Sequence, residues 1–423
     1  MIAPLNSYAQ ATFSSLRVRN YRLYFIGQGI SLCGTWMQTI GQSWLVLKLT
    51  GSGTALGLVT ACQTLPVLVL GPLGGVVTDR FHKRRLLFLT QLTLCLLALA
   101  LGLLVATGAI RLWMIFVLAS CLGLVAAIDN PARQTFVHEM VGRELLRNAV
   151  TLNSTEVNLA RVIGPAIAGV LIASTGLAAC FIINSISFVA VLVCLYLMRG
   201  EELFTVEPIR EVRGQLSKGF RYIGDTPVIR DVLIMMAVVG ALTYEFNVSL
   251  PLAAKFTFHG SAGSFALLTS AMGLGAVLGG LLTAGRKKTS PAGVAWASLA
   301  FGAAVLLVAI APDLLLAVLG MVLVGLCSLG FTSLGNSTLQ LESRPDMRGR
   351  VMALWTVAFM GTTPVGGPII GLIGEHANPR WSLVTGGIAA LAAGAYGLFS
   401  MARSAGVPGR REAHDANHAT VER

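Results

Sequence analysis

Three ionisable residues stand inside long apolar stretches: Glu156 and Arg161 in TLNSTEVNLARVIGP, and Glu245 in ALTYEFNVSL. An ionised side chain in hydrocarbon costs about 2.5–3.5 kcal/mol on insertion scales. Such groups therefore face a protein interior, pair with one another, or take up a proton. This makes Glu156 and Glu245 candidates for proton coupling. The structural alternatives are an ion pair of Glu156 with Arg161 or another basic residue, and a hydrogen bond from Glu245 to a neighbouring helix. Arg161 is a candidate for binding an anion or for pairing with a carboxylate. Asp79 and Asp129 lie instead at the edges of apolar stretches, with Arg80, Lys83, Arg84 and Arg85 directly after Asp79. Asp129 also precedes Arg133 by four residues, a spacing that pairs side chains on one helix face.

No other constellation carries chemistry. The histidines (His82, His138, His259, His376, His414 and His418) are scattered, and the seven cysteines have no CxxC or His-paired spacing. Free cysteine in apolar sequence behaves as a small hydrophobe, so neither a disulfide nor a metal site is expected. Met235, Met236 and Met272 read as core or lipid-facing residues. A phosphate-binding loop is absent, and no Ser, His and Asp share a face. An enzyme is not expected, and neither is a cofactor.

The elements that hold these residues follow from composition. Of 423 residues, 55% are hydrophobic and 12% charged, and the mean hydropathy is +0.74. An ordinary soluble domain has about 25% charged residues, so lipid is the expected solvent. Twelve stretches are long and apolar enough to span: 22–48, 54–78, 86–107, 112–136, 150–174, 177–198, 230–255, 262–285, 291–311, 314–341, 350–374 and 381–402. Residues 1–20 have no apolar core, so no cleavable leader is expected. Among the 31 Lys and Arg residues, only Lys48, Arg111, Lys255 and Arg380 fall in outward connections, and Arg161 alone falls within a span. The rest lie on one side, which the positive-inside rule assigns to the cytoplasm, with both termini there. This asymmetry accounts for the net charge of +12 without a nucleic-acid partner.

The chain divides into a cytoplasmic segment (1–21), six spans (22–198), a central cytoplasmic loop (199–229), six further spans (230–402) and a polar tail without periodicity (403–423). Residues 208–223 in the central loop could form an amphipathic helix on the membrane face. Internal similarity supports a duplication. Gly164-Pro165 and Gly367-Pro368 lie 203 residues apart, and at that offset Glu139 matches Glu342 and Arg147 matches Arg350. Leu73-Gly74-Gly75 corresponds to Leu278-Gly279-Gly280. The expected fold is all-α, twelve spans in two pseudo-symmetric six-helix bundles with a site between them.

Gly75-Val76-Val77-Thr78-Asp79-Arg80-Phe81-His82-Lys83-Arg84-Arg85 resembles the signature loop of the major facilitator superfamily, with His82 where a second glycine is usual and Val77 where leucine is usual. Gly164-Pro165 with Gly169 resembles the span-five motif of proton-coupled exporters. Asp129-Asn130-Pro131-Ala132-Arg133-Gln134, Leu152-Asn153-Ser154 and Asn158 to Arg161 resemble the bacterial branch that includes the enterobactin exporter and related drug and metabolite efflux proteins. The resemblance implies a gate in which Arg80 or Lys83 bridges to Asp129, and Asp79 faces the N-terminal end of a helix in the other bundle, the eleventh span. Pro165 is expected to kink its span, and the glycines to admit close packing. Gln28, Trp36, Gln38, Gln42, Gln63, Asn158, Asn247, Asn336 and Trp355 are the cavity candidates, a set suited to amphipathic organic molecules.

The function expected is a secondary transporter of the bacterial inner membrane. It exports a siderophore, drug-like amphiphile or metabolite in exchange for protons, as a monomer among membrane lipids. An importer, a lipid or lysolipid flippase, and a non-transporting sensor or assembly partner remain alternatives.

Overall fold

The computed structural model describes residues 12–204, 221–284, 290–345 and 347–405, all helical or in short turns. In lipid every backbone N–H and C=O must be satisfied within the chain, which restricts long apolar runs to helices. We number the helices α1 (Arg19–Thr50), α2 (Gly53–Arg80), α3 (Lys83–Ala106), α4 (Leu112–Ser174), α5 (Leu177–Leu197), α6 (Pro227–Leu242), α7 (Phe246–Leu252), α8 (Ala262–Ala284), α9 (Pro291–Ala309), α10 (Leu314–Glu342), α11 (Arg348–Met360), α12 (Thr363–His376) and α13 (Pro379–Ala405). Their ends use ordinary caps. Ser52 accepts from the Ala55 amide, Ser290 from Gly293 and Asp313 from Leu316, and Gly51 closes α1 in the left-handed region.

Among the described residues ten helices are long and apolar enough to cross a membrane. Helix α1, rich in Gly, Gln and Thr, is not among the ten, and α4 covers two of the expected spans. The expected connection between spans four and five is itself helical. Only Gly142, at φ 67° and ψ −173°, separates the two parts of the 63-residue α4. An L side chain rarely adopts that φ, and a Cβ there would also meet the Phe204 ring at 3.3 Å.

The expected spans seven and eleven are each broken midway. Helix α6 ends at Leu242 and α7 begins after Glu245, whose ψ of 41° leaves the helical region. Helix α11 ends at Met360 and α12 begins at Thr363. Pro364 in the first turn of α12 has no N–H to continue the earlier helix. The two breaks adjoin: a Cβ on Gly240 would lie 2.5 Å from the Phe359 carbonyl. After Pro251 the chain makes a wider turn over Ala253–Thr257, with Phe258 N–H reaching the Ala253 carbonyl. The amphipathic helix expected over 208–223 lies largely outside the described residues, of which 221–225 are helical. The expected tail is described only to Ala405, within α13.

Helices α1 to α5 pack on one another, as do α6 to α13. The two sets meet chiefly along α2 with α12 and α4 with α8, and also along α1 with α7. The seams are built of small residues. A Cβ on Gly53 would lie 2.5 Å from the Gly371 carbonyl, and Gly57 faces Gly367. One on Gly273 would lie 3.0 Å from the Arg161 carbonyl, and one on Gly169 3.0 Å from Ala266. Ser270 donates to the Val162 carbonyl at 3.0 Å. These contacts lie away from the basic loop that joins α2 to α3. Among the described residues, no hydrogen bond or ion pair links the two sets at the basic end. The outer surface is apolar, with Val170, Ile186, Leu281 and Leu319 exposed, as a lipid-facing belt requires.

Gly371→Leu should force the seam apart and destabilise the protein by about 1–3 kcal/mol, the usual cost of overpacking. Gly75→Ala, with open space around the added carbon, should not. Thermal unfolding in detergent, followed by monodisperse elution, checks both; an unchanged Tm for Gly371→Leu would contradict the seam.

Candidate functional site

At the end opposite the basic loop, two helix ends are capped across the seam. Ser52, the N-cap of α2, donates its hydroxyl to Glu375 Oε2 at 2.6 Å, and the Thr54 amide donates to the same oxygen at 2.8 Å. Lys255, after α7, donates Nζ to the Leu47 carbonyl near the end of α1 at 2.7 Å. Anions at helix N-termini and cations at C-termini are electrostatically favoured. The α6–α13 set thus supplies both charges, one to the start of α2 and one to the end of α1.

Further in, Thr39, Gln42, Thr60, Gln63 and Thr64 from the N-terminal set and Asn247 from α7 line a pocket of about 120 Å³. Gln42 donates to Gln63 at 3.4 Å. The pocket lining carries no charge. Arg161 lies in the same seam, its guanidinium carbon 5.1 Å from the centre of the Trp36 ring, and Gly164 packs against Trp36 Cβ and the Cys33 carbonyl. On the other set, Tyr244 packs edge-on against Phe359 at 4.7 Å, and Trp355 stacks on Phe359 at 5.7 Å. The buried Trp355 indole N–H has no partner among the described residues.

The carboxyls of Glu156 and Glu245 are 7% and 3% exposed. Among the described residues both oxygens of Glu156 and Oε1 of Glu245 lack a hydrogen-bond partner. Glu156 lies against Gly29 of α1, and Glu245 lies beside Gly367 and Thr363 in the first turns of α12. Among the described residues neither forms an ion pair, so the alternative of a Glu156–Arg161 bridge is not realised. The two side chains are five residues apart and leave α4 on different faces.

The basic end departs from the expected gate. Asp129, fully buried, accepts from Thr90 at 2.6 Å and Gln91 at 2.9 Å, and pairs with Arg133 on its own helix. Lys83 bridges to Glu139 at 2.7 Å, not to Asp129. Arg84 donates to the Leu195 and Tyr196 carbonyls at 2.9 and 3.0 Å. The reason is depth: Asp129 lies level with the third turn of α3, at Thr90 and Gln91, below the loop. Asp79 and Arg80 are exposed and have no partner among the described residues, and Gly75 has nothing within 4 Å of an added Cβ.

Pro165 lies inside α4, where the backbone keeps helical φ/ψ, Gly142 being the one non-helical residue of that helix. Gly164, Gly169 and Gly367 serve close packing, and Pro368 lies within α12. The remaining cavity candidates scatter. Gln38 accepts from Asn184 at 2.7 Å and ties α1 to α5. Asn158 donates to its own helix at the Ser154 carbonyl. Asn336 accepts from Gln340. Gln28 is buried with its carbonyl oxygen unpartnered. Met235, Met236 and Met272 are core residues.

Several residues were not singled out from sequence. Asp231 accepts from Tyr396 and Arg230 at 3.0 Å and from Ser400, tying α6 to α13. Glu375, Ser52 and Lys255 form the end caps. Ser52 could have been found as an N-cap between glycines, but its partner lies 323 residues away.

Residues 10–415 match the family described as transmembrane secretion effector. The chain is 27% identical over 278 residues to the staphyloferrin A transporter of Staphylococcus aureus, covering 62% of this chain and 66% of that protein, just under two thirds of its length. It is 26% identical to the multidrug efflux pump Tap of Mycolicibacterium fortuitum, over 82% of this chain and 88% of that protein. It is 25% identical to the enterobactin exporter EntS of Shigella flexneri, over 88% and 90%. Among solved structures, a bacterial homologue of the human lysosomal transporter Spinster, inward-facing and unoccupied, superposes with a TM-score of 0.72 at 15% identity, covering 90% of this chain and 96% of that one. A peptide transporter of the POT family in complex with a thioalcohol-conjugated peptide gives 0.75 at 12%, covering 91% and 96%. At such identities the structural likeness establishes the fold alone.

Asp129→Asn should leave Arg133 without its counter-ion and cost toward the low end of about 3–5 kcal/mol, because the Arg133 side chain keeps 26% of its exposure. A fall in Tm checks this. Glu375→Ala should loosen the far end by the worth of an ordinary exposed hydrogen bond, about 0.5–1.5 kcal/mol. Spin labels at residues 108 and 259, in a background without the native cysteines, should show a larger long-distance population; an unchanged distribution would exclude the caps as a closure.

Proposed function

Because this chain belongs to the transmembrane secretion effector family of the major facilitator superfamily, we propose that it is a secondary active exporter of small organic molecules working by alternating access. Adding α1 to the ten apolar helices and counting α4 on each side of Gly142 gives twelve spans. They fall into two bundles of six, 22–198 and 230–402, that move against one another. The excess of Lys and Arg around the α2–α3 loop assigns the basic end to the cytoplasm of a bacterial inner membrane, with both termini there. The described form then faces inward, with its outer end held by Glu375 and Lys255.

One observation carries the reading: each set holds a buried carboxyl with an oxygen unpartnered among the described residues, Glu156 between α4 and α1 and Glu245 beside the α2–α12 seam. Each is placed to exchange a proton when water reaches it, and Glu245 lies where α7 and α12 begin. Proton and cargo then act on one two-state equilibrium, which is the physical content of coupling. In the other state the basic ends close, bringing Asp79 toward the N-terminus of α11, whose partial positive charge favours it. The siderophores and drugs of the relatives' names define the class of cargo. A monomer suffices, because the pocket is built within one chain, and lipids surround it.

In an efflux-deficient bacterium, expression should lower the accumulation of labelled siderophore or ethidium, and an uncoupler should abolish the effect. Glu245→Gln and Glu156→Gln should each reduce uncoupler-sensitive efflux by about 5- to 150-fold, the span of common coupling energies. Efflux indifferent to the uncoupler would remove the proton from the scheme. Net uptake would make the chain an importer.

A further inference from the structure

Arg161 is the one basic side chain among the described residues with a buried donor that lacks a hydrogen-bond partner. Its guanidinium stands over the Trp36 indole and within electrostatic range of Tyr244 on the opposite bundle. No carboxylate pairs with it: Glu156 faces Gly29, Glu245 faces the start of α12, and each ion pair among the described residues lies elsewhere. Its helix backbone abuts Gly273 and Ser270 of α8, so it belongs to the seam that alternating access would open and close.

A buried carboxyl without a cation can be neutralised by a proton. A guanidinium has no such exit, because arginine is effectively always protonated in proteins. The indole face offsets part of its desolvation, and the rest calls for an anion from outside. The planar fork of donors matches a carboxylate in two parallel hydrogen bonds. Two aromatic side chains flank it, Trp36 under the guanidinium and Tyr244 on the opposite bundle. The 120 Å³ pocket that begins one turn along α1 from Trp36, at Thr39, has no acidic residue in its lining.

From this we infer that the cargo is an organic carboxylate with an aromatic or other flat portion, its carboxylate docking on Arg161 as held by Trp36. This inference rests on the exporter reading for the word cargo, and on the geometry alone for the binding site.

Equilibrium dialysis of the full chain in lipid nanodiscs, at constant ionic strength, compares 2-naphthoate with its neutral analogue 2-naphthamide. The wild type should prefer the carboxylate by about tenfold or more, as expected for hydrogen bonds to a charged group. Arg161→Gln should lose that preference while still binding 2-naphthamide, which reports an intact pocket. Arg161→Lys should retain part of it. No preference in the wild type, or the same preference in Arg161→Gln, overturns the inference. Should the variants fail to fold, phenylglyoxal modification of Arg161 in the wild type, read by mass spectrometry, gives a second measure. Protection by 2-naphthoate and not by 2-naphthamide supports the site, and equal modification with either overturns it. Uncoupler-sensitive efflux without a charge preference defeats this inference alone; a charge preference without efflux defeats the exporter reading alone.

Discussion

A charge removed from water must find a partner within the protein, and the way this chain distributes such partners organises everything else in the molecule. Among the described residues each helix set has one buried aspartate with several donors. Asp129 joins α4 to α3 through Thr90 and Gln91 and keeps Arg133 beside it. Asp231 joins α6 to α13 through Tyr396 and Ser400. These sites make each set a unit. Elsewhere the pattern reverses. Glu156 inside the first set, and Glu245 and Arg161 at the seams, are buried with polar atoms unpartnered among the described residues. Groups with saturated partners hold structure, whereas groups without them respond to what arrives. In the proposed cycle those arrivals are a proton and an anionic cargo.

The seams suit parts that must separate. Where α2 meets α12 and α4 meets α8, glycine and small residues bring backbones together without interlocking side chains. Packing across such a surface is dispersion over a large flat area. Little desolvated polar structure is lost when it opens. The two end caps, Ser52 with Glu375 and Lys255 with Leu47, use charges on helix termini that water can also satisfy. Their exposure keeps their worth small, and a closure of that kind is reversible.

The loop between α2 and α3 divides its labour in the same way. Lys83 and Arg84 are anchored to Glu139 and to the end of α5. Asp79 and Arg80, a few residues earlier, have no partner among the described residues, and Gly75 faces open space. Anchored residues fix the loop to its own set. Residues left free are those the proposed closed form would use.

The helices themselves were legible in the chain, because a lipid solvent reduces secondary structure to the placement of apolar runs. The bounds expected for α2, α8 and α10 lie within a few residues of those observed. The buried carboxyls were legible for the same reason, since a charge inside an apolar run stands out. Breaks at Glu245 and at Gly361-Thr362 were not. Pairings were the least accessible. Sequence placed Lys83 near Asp129 but not with Glu139, and could not join Ser52 to Glu375 or Arg161 to Trp36. Local composition alone therefore determined which segments span and which residues are too costly to face lipid. Only the tertiary structure decided which of those residues find partners, because partner choice is set by helix depth and rotation, and these are fixed by contacts between segments hundreds of residues apart.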